Sequence, residues 1–240
     1  MKGVALITGG SGSLGAATAR VLDEGGFTVA VHYVNDKDGA AEVCASLSGH
    51  AMVVRADVSS WEDVKDMTER VEAELGPVEV LVNSAAVRKD GLMASQPVEE
   101  WRQTIATNLV GTFHTCRAVL PGMLRRRSGR VVNIVSPAGL IGSRGQTAYS
   151  ASKAGVIGMT RSLALECGKR GVTVNAVSPG YMDTKLTDSV PTEIRRQFLE
   201  RTAVKRLGDP DEIAAAVRFV VGAPYMTGQV LSLDGGLSIS

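Results

Sequence analysis

The chain has 240 residues, 44% hydrophobic and 21% charged, with a formal net charge of +1. That composition suits one large globular core and gives no basis for disorder, a basic nucleic-acid surface or attraction to anionic membranes. Aromatic residues make up only 4%, and the three cysteines and three histidines are dispersed outside any ligand spacing, so neither a base-stacking platform nor a zinc site is expected.

Met1–Thr8 runs directly into a buried-strand pattern without the apolar core of a secretory leader, and no apolar run reaches bilayer length. The sequence is therefore expected to be soluble, reduced and cytoplasmic. Apolar runs at Val4–Thr8, Thr28–Tyr33, Ala51–Ala56, Val78–Val82, Arg130–Val135, Val172–Val177 and Gln229–Leu233 show little polar alternation, as strands covered on both faces do. Amphipathic stretches lie between them at Leu14–Glu24, Trp61–Leu75, Trp101–Leu124, Tyr149–Cys167 and Asp211–Val221. Alternating strand and helix predicts an α/β fold with one doubly wound parallel sheet of about seven strands, flanked by helices. There is no linker or repeat. Met182–Leu207, polar and charged between two strands, is a candidate substrate lid, with a plain surface excursion as the alternative.

The first strand ends in Thr8-Gly9-Gly10-Ser11-Gly12-Ser13-Leu14-Gly15 and a helix follows. Gly10, Gly12 and Gly15 have G-x-G-x-x-G spacing in a strand–turn–helix context, where free N–H groups and the helix dipole favour a pyrophosphate. A tight turn without a ligand is the competing reading. An NAD site places a carboxylate at the end of the second strand to bind the ribose 2′-hydroxyl. Here that strand ends His32-Tyr33-Val34-Asn35, with Asp36 and Asp38 beyond it, which favours NADP(H), although no arginine is evident to hold a 2′-phosphate. Asp57, after the third strand, is placed either to hydrogen-bond the adenine or to cap the next helix.

Tyr149 and Lys153 are four residues apart at a helix start and share a face. A free phenol has a pKa near 10, and a neighbouring ammonium is expected to draw it toward the working range. Ser136 lies thirteen residues upstream of Tyr149 at a strand end. Gly139, Gly142 and Gly145 mark an expected flexible loop between them. Ser136 and Tyr149 can thus converge on one carbonyl oxygen at the carboxyl edge of the sheet.

With these residues the chain resembles the short-chain dehydrogenases/reductases nearly end to end. The carrying motifs are the glycine turn, Ala56-Asp57-Val58, Asn83-Ser84-Ala85-Ala86, Asn108, Ser136, Tyr149-x-x-x-Lys153, Pro179-Gly180 with Thr184, and Asp234-Gly235-Gly236. Gly145-Gln146-x-x-Tyr149 and Tyr225-Met226-Thr227-Gly228-Gln229 are most similar to 3-oxoacyl-[acyl-carrier-protein] and acetoacetyl-CoA reductases.

The resemblance implies one NAD(P)-binding Rossmann domain over residues 1–240 that reduces a 3-oxoacyl thioester with NADPH. It implies a catalytic tetrad in which Ser136 polarises the carbonyl and Tyr149 donates the proton. Lys153 would bind the nicotinamide ribose and assist Tyr149, and Asn108 would hold a relay water. Cofactor contacts would come from Gly9, Ser11, Gly12, Ser13, Leu14, Gly15, Tyr33, Asp57, Val58, Asn83, Ala85, Tyr149, Lys153, Pro179, Gly180 and Thr184. Asn83 would sit beside the central ribose and Thr184 near the carboxamide.

Acyl carrier protein would be the partner of a homotetramer paired through Asn108–Leu124, Tyr149–Cys167 and the last strand. It would dock on Arg127 and Arg170, whose alternative role is to cap helix C-termini. Two positions depart from the family pattern. Ser13 replaces a glycine, and is strained if its φ is positive; Ala86 replaces another where the backbone nears the cofactor. Reduction of acetoacetyl-CoA or another ketone is the alternative activity, and a catalytically silent nucleotide-binding protein is the alternative class.

Overall fold

In the computed structural model the described residues are 2–183, 196 and 199–239. Thr184 and much of the candidate lid lie outside them. Seven parallel strands form one sheet in the order β3-β2-β1-β4-β5-β6-β7. They are β1 (Lys2–Thr8), β2 (Phe27–Tyr33), β3 (Ala51–Arg55), β4 (Val78–Asn83), β5 (Gly129–Ile134), β6 (Val172–Pro179) and β7 (Val230–Leu233). Each coincides with an expected run; in the central strands β1, β4, β5 and β6 this follows from apolar residues buried on both faces, whereas β3 and β7 lie at the sheet's edges and are partly exposed.

The helices bounded by described residues are α1 (Ser13–Glu24), α2 (Lys37–Ser46), α3 (Trp61–Leu75), α4 (Val98–Ile105), α5 (Gly111–Arg126), α6 (Ala138–Ile141), α7 (Thr147–Cys167) and α8 (Pro210–Val221). Period-two alternation sorts the core. Val4 and Leu6 of β1 face the layer of α3, α5 and α7, whereas Ala5 and Ile7 face that of α1, α2 and α8. The expected helix Trp101–Leu124 is a longer run from α4 to α5, interrupted by a π-helical turn at Ala106–Val110.

Polar residues cross this core in one row. Thr8, Asn83 and Asn133 stand opposite one another on β1, β4 and β5. The Asn83 amide donates to Asn133 Oδ1 at 2.9 Å, Asn133 donates to Thr160 Oγ1 at 2.8 Å, and Thr115 Oγ1 donates to Asn83 Oδ1 at 2.7 Å. Each is buried and each finds a partner, as the low-dielectric interior requires. The strand order reverses between β1 and β4. A crevice opens there at the carboxyl edge, the usual ligand site of such sheets.

Candidate active site

The crevice leads into a cleft of about 700 Å³ reaching from the glycine turn to Tyr149, Tyr181 and Arg201. Gly9 takes φ +66°, and a Cβ there would come within 2.9 Å of Ala85 Cα. A Cβ on Gly15 would collide with the Gly9 carbonyl oxygen. These two positions thus let the turn after β1 close against both β4 and α1. Gly12 caps α1 with φ −75° and offers no side chain to the first-turn N–H groups. Those donors remain open beside Ser11, Ser13 and Leu14, all of which line the cleft. Ser13 carries no strain, because among the described residues Arg127 is the only non-glycine with positive φ. It simply begins α1, so the shifted glycine is absorbed without distortion. Ala86 lines the same cleft.

A residue the sequence did not single out supports this turn. His32, 1% exposed on β2, accepts the Gly9 N–H at Nδ1 (3.0 Å), and its Nε2 lies 3.0 Å from the Ala56 carbonyl oxygen. Its own carbonyl accepts the Gly10 N–H at 2.7 Å. A histidine inside an apolar run gives no periodic signal; only the β1–β2 register reveals its role.

At the end of β2, Tyr33 pairs with Arg55 of β3. Asp36 lies beyond the strand and accepts the Gly39 N–H at 3.0 Å as the cap of α2. Arg55, also not singled out, donates from Nε to the Val34 carbonyl at 3.3 Å, which brings a guanidinium to this strand end. Asp57 does not cap α3, since Ser60 does. Its Oδ1 instead accepts Ser59 N–H at 2.8 Å and Ser59 Oγ at 2.6 Å. The carbonyl of Val58 lies 3.0 Å from His114 Nδ1.

Tyr149 and Lys153 share the first turns of α7, and Ser136 follows β5. Ser136 and Tyr149 both line the cleft, and the Ser136 hydroxyl lies near enough to act on the phenol. Burial pushes the Tyr149 phenol above its usual range; Arg88 and the Ser136 hydroxyl oppose this, and Asp90 adds to it. The expectation that Lys153 draws the phenol down is thus corrected for the free protein. Lys153 Nζ donates to the Ile134 carbonyl at 2.8 Å and lies 5.6 Å from the centroid of the Tyr149 ring. Burial lowers its own pKa to about 8.

The segment between Ser136 and Tyr149 is folded rather than a loose loop. Gly139 lies in α6, where a Cβ would come within 2.8 Å of Ala154 N. Gly142 and Gly145 take φ +74° and +79°. Asn108 sits in the π turn, a device that often re-aims a residue at a functional site. Its side chain is engaged: Nδ2 donates to the Val87 carbonyl at 2.9 Å and to Ser152 Oγ at 3.2 Å, and Oδ1 accepts the Val87 N–H at 2.8 Å.

Asn83 likewise points into the buried row and away from the cleft, while Ala85 lines it. Pro179 and Gly180 line the far wall. Both ends of the candidate lid meet there, because Gly208 accepts from Asp183 N–H at 2.8 Å and donates to the Tyr181 carbonyl at 2.8 Å.

Arg127 and Arg170 lie apart from this cleft. Arg127 ends α5 in a left-handed conformation (φ 55°, ψ 34°), and its Nη2 donates to the Lys169 carbonyl at 3.1 Å. Arg170 closes the 3-10 turn after α7 and is exposed. Both stand where β5 and β6 begin, at the amino edge of the sheet, opposite the edge that carries Tyr149.

No helix among the described residues is long and apolar enough to cross a membrane. The family model described as enoyl-(acyl carrier protein) reductase matches residues 9–238. The chain is 39% identical to 3-oxoacyl-[acyl-carrier-protein] reductase FabG of Staphylococcus epidermidis, over 99% of each chain. It is 41% identical to nodulation protein G of Azospirillum brasilense, over 98% of each. To 3-oxoacyl-[acyl-carrier-protein] reductase of Synechocystis it is 40% identical, over 98% of this chain and 96% of that one. An open helix N-terminus at the strand reversal, a serine–tyrosine hydroxyl pair over a buried lysine, and full-length likeness to these reductases agree: the chain belongs to the short-chain dehydrogenase/reductase family.

Proposed function

We propose that the protein reduces a 3-oxoacyl thioester, carried on acyl carrier protein, to the 3-hydroxyacyl thioester with NADPH. The observation that carries this reading is the Ser136–Tyr149 hydroxyl pair, set above Lys153 in the cleft that the open end of α1 enters. Two neighbouring hydroxyls in one cleft can both turn toward a carbonyl oxygen placed between them, where negative charge develops during reduction. With its pKa raised, Tyr149 holds its proton at neutral pH and can give it to that oxygen. The Lys153 ammonium, fixed on the Ile134 carbonyl, supplies positive charge behind the ring as the phenol loses its proton. Asn108 holds Val87 against Ser152 of α7, and so secures the loop opposite Tyr149.

The chain's residues suit a nicotinamide dinucleotide. The uncapped first turn of α1 offers N–H donors to a pyrophosphate, and the nicotinamide, when bound, supplies the hydride. Two features favour NADPH over NADH. Asp36 is committed to capping α2, and the Arg55 guanidinium stands at the β2 end, where it can meet a 2′-phosphate.

The carrier reading extends to a homotetramer. Helices α5 and α7 run from the carboxyl edge to the amino edge. Antiparallel pairing of these helices across a two-fold axis would set Arg127 and Arg170 of one subunit beside the cleft of its partner. Such an assembly, in the cytoplasm, offers acidic carrier protein a cationic landing next to Tyr149. The test is oxidation of NADPH, followed by absorbance, when acetoacetyl-carrier, acetoacetyl-CoA and a free ketone are added separately. The proposal expects the carrier thioester to give the highest kcat/KM. Absence of turnover with all three would leave a nucleotide-binding protein without this chemistry.

A further inference from the structure

His32 belongs to no part of the chemistry above, yet it joins the glycine turn that lines the cleft to the chain leaving β3. Its ring is buried on β2. Nδ1 accepts the N–H of Gly9, the residue whose φ of +66° turns the chain away from β1. The ring's other nitrogen meets the Ala56 carbonyl, one residue before Asp57, and the backbone carbonyl of His32 takes the next N–H of the turn, from Gly10. One side chain and its own peptide therefore hold two consecutive amides of the turn and the exit of β3.

We infer that His32 is a positioning residue: its imidazole locks the Gly9–Gly10 turn to the Ala56–Asp57 segment, so that α1 and the adenine side present a preset span to a dinucleotide. The arrangement needs one tautomer. Nδ1 must be bare to accept from Gly9, so Nε2 carries the hydrogen that goes to Ala56. Burial, the largest influence, lowers the ring's pKa and keeps it neutral, against smaller upward pulls from the Ala56 carbonyl and then Asp57. An apolar residue of similar size would leave the Gly9 N–H and the Ala56 carbonyl without these partners. The turn would then have to be ordered at the moment of binding, at the expense of affinity.

The inference rests on the reading of this crevice as the dinucleotide site, and its test separates the two. His32→Leu, His32→Asn and His32→Gln are compared with the natural protein by NADPH fluorescence titration, steady-state kinetics, and amide hydrogen exchange of the nucleotide-free protein. Asn sets an acceptor near the place of Nδ1; Gln sets a donor near the place of Nε2. His32→Leu is expected to weaken NADPH binding about ten-fold and to speed exchange at Gly9, while kcat at saturating NADPH and KM for the ketone stay within about two-fold. His32→Asn is expected to recover most of the binding and protection, and His32→Gln little of either. Unchanged Gly9 exchange and unchanged affinity in His32→Leu would overturn the inference, as would a folded His32→Asn no better than His32→Leu. If the natural protein binds neither NADPH nor NADH, the dinucleotide reading falls, and the exchange data alone decide whether His32 holds the turn.

Discussion

Lys153→Met isolates what the active-site lysine costs the fold. The ammonium is 3% exposed, and burial moves its pKa from 10.5 to about 8. At neutral pH that displacement corresponds to roughly 3 kcal/mol of penalty for keeping the group charged in the folded state. Methionine fills a similar volume without charge, but it leaves the Ile134 carbonyl without its donor, at about 1–2 kcal/mol. The variant should therefore be more stable than the natural protein at pH 7, by on the order of 1–2 kcal/mol. The sign of the pH dependence follows from the direction of the displacement. The folded pKa lies below the unfolded one, so the unfolded chain holds the extra proton between about pH 8 and 10.5, and the natural protein gains stability as pH rises through that window. The variant lacks this gain, so its advantage should shrink toward pH 10. Urea midpoints with unchanged m values, measured from pH 7 to pH 10, read both effects. A variant less stable at pH 7, with a difference that does not vary with pH, would refute the reasoning.

Tyr149→Phe should lower kcat/KM by about 10²–10⁴ and leave the NADPH dissociation constant unchanged, because only the proton donor is lost. The natural protein should prefer NADPH to NADH in kcat/KM, and Arg55→Ala should erode that preference by weakening NADPH alone; a preference for NADH would reverse the cofactor assignment. Arg127→Glu with Arg170→Glu should raise KM for a carrier-linked substrate, more at low salt, and spare a free ketone. Equal effects on both substrates would assign the two arginines to helix capping. Light scattering that showed a monomer at micromolar concentration would remove the paired-subunit geometry on which docking near the cleft depends.

The central strands were readable because they are apolar on both faces, and the glycine turn was readable because its spacing sits directly after the first of them. Helix α2 was not, since only Ala40 and Val43 are buried and no apolar stripe announces it. The π turn at Asn108 leaves the apolar pattern almost unchanged, so it was hidden inside a plausible long helix. His32 and Arg55 gain their roles from register with β1, β3 and the chain beyond β2, which no local window contains. Tyr149 and Lys153 were legible as a pair by spacing. Their electrostatics were not, because burial acts on both groups more strongly than the proximity that the spacing suggests. The caution about Ser13 dissolves once Gly12 is seen to cap α1, which leaves Ser13 an ordinary helical position.

The row Thr8–Asn83–Asn133–Thr160 has a bearing on how the chain finds one sheet among many. Parallel strands rich in valine can slide past one another at little hydrophobic loss, because one valine resembles the next. A slip of β4 against β5 by a single residue would place both asparagine amides against apolar neighbours and orphan several buried donors and acceptors at once. The amides thus act as a key cut for one alignment, and they penalise misregistered intermediates more than they strengthen the finished fold. An apolar replacement of the whole row could preserve stability while letting the two central strands pair in more than one way. The strand ends would then scatter, and Ser136, which follows β5, would lose its fixed height above Tyr149.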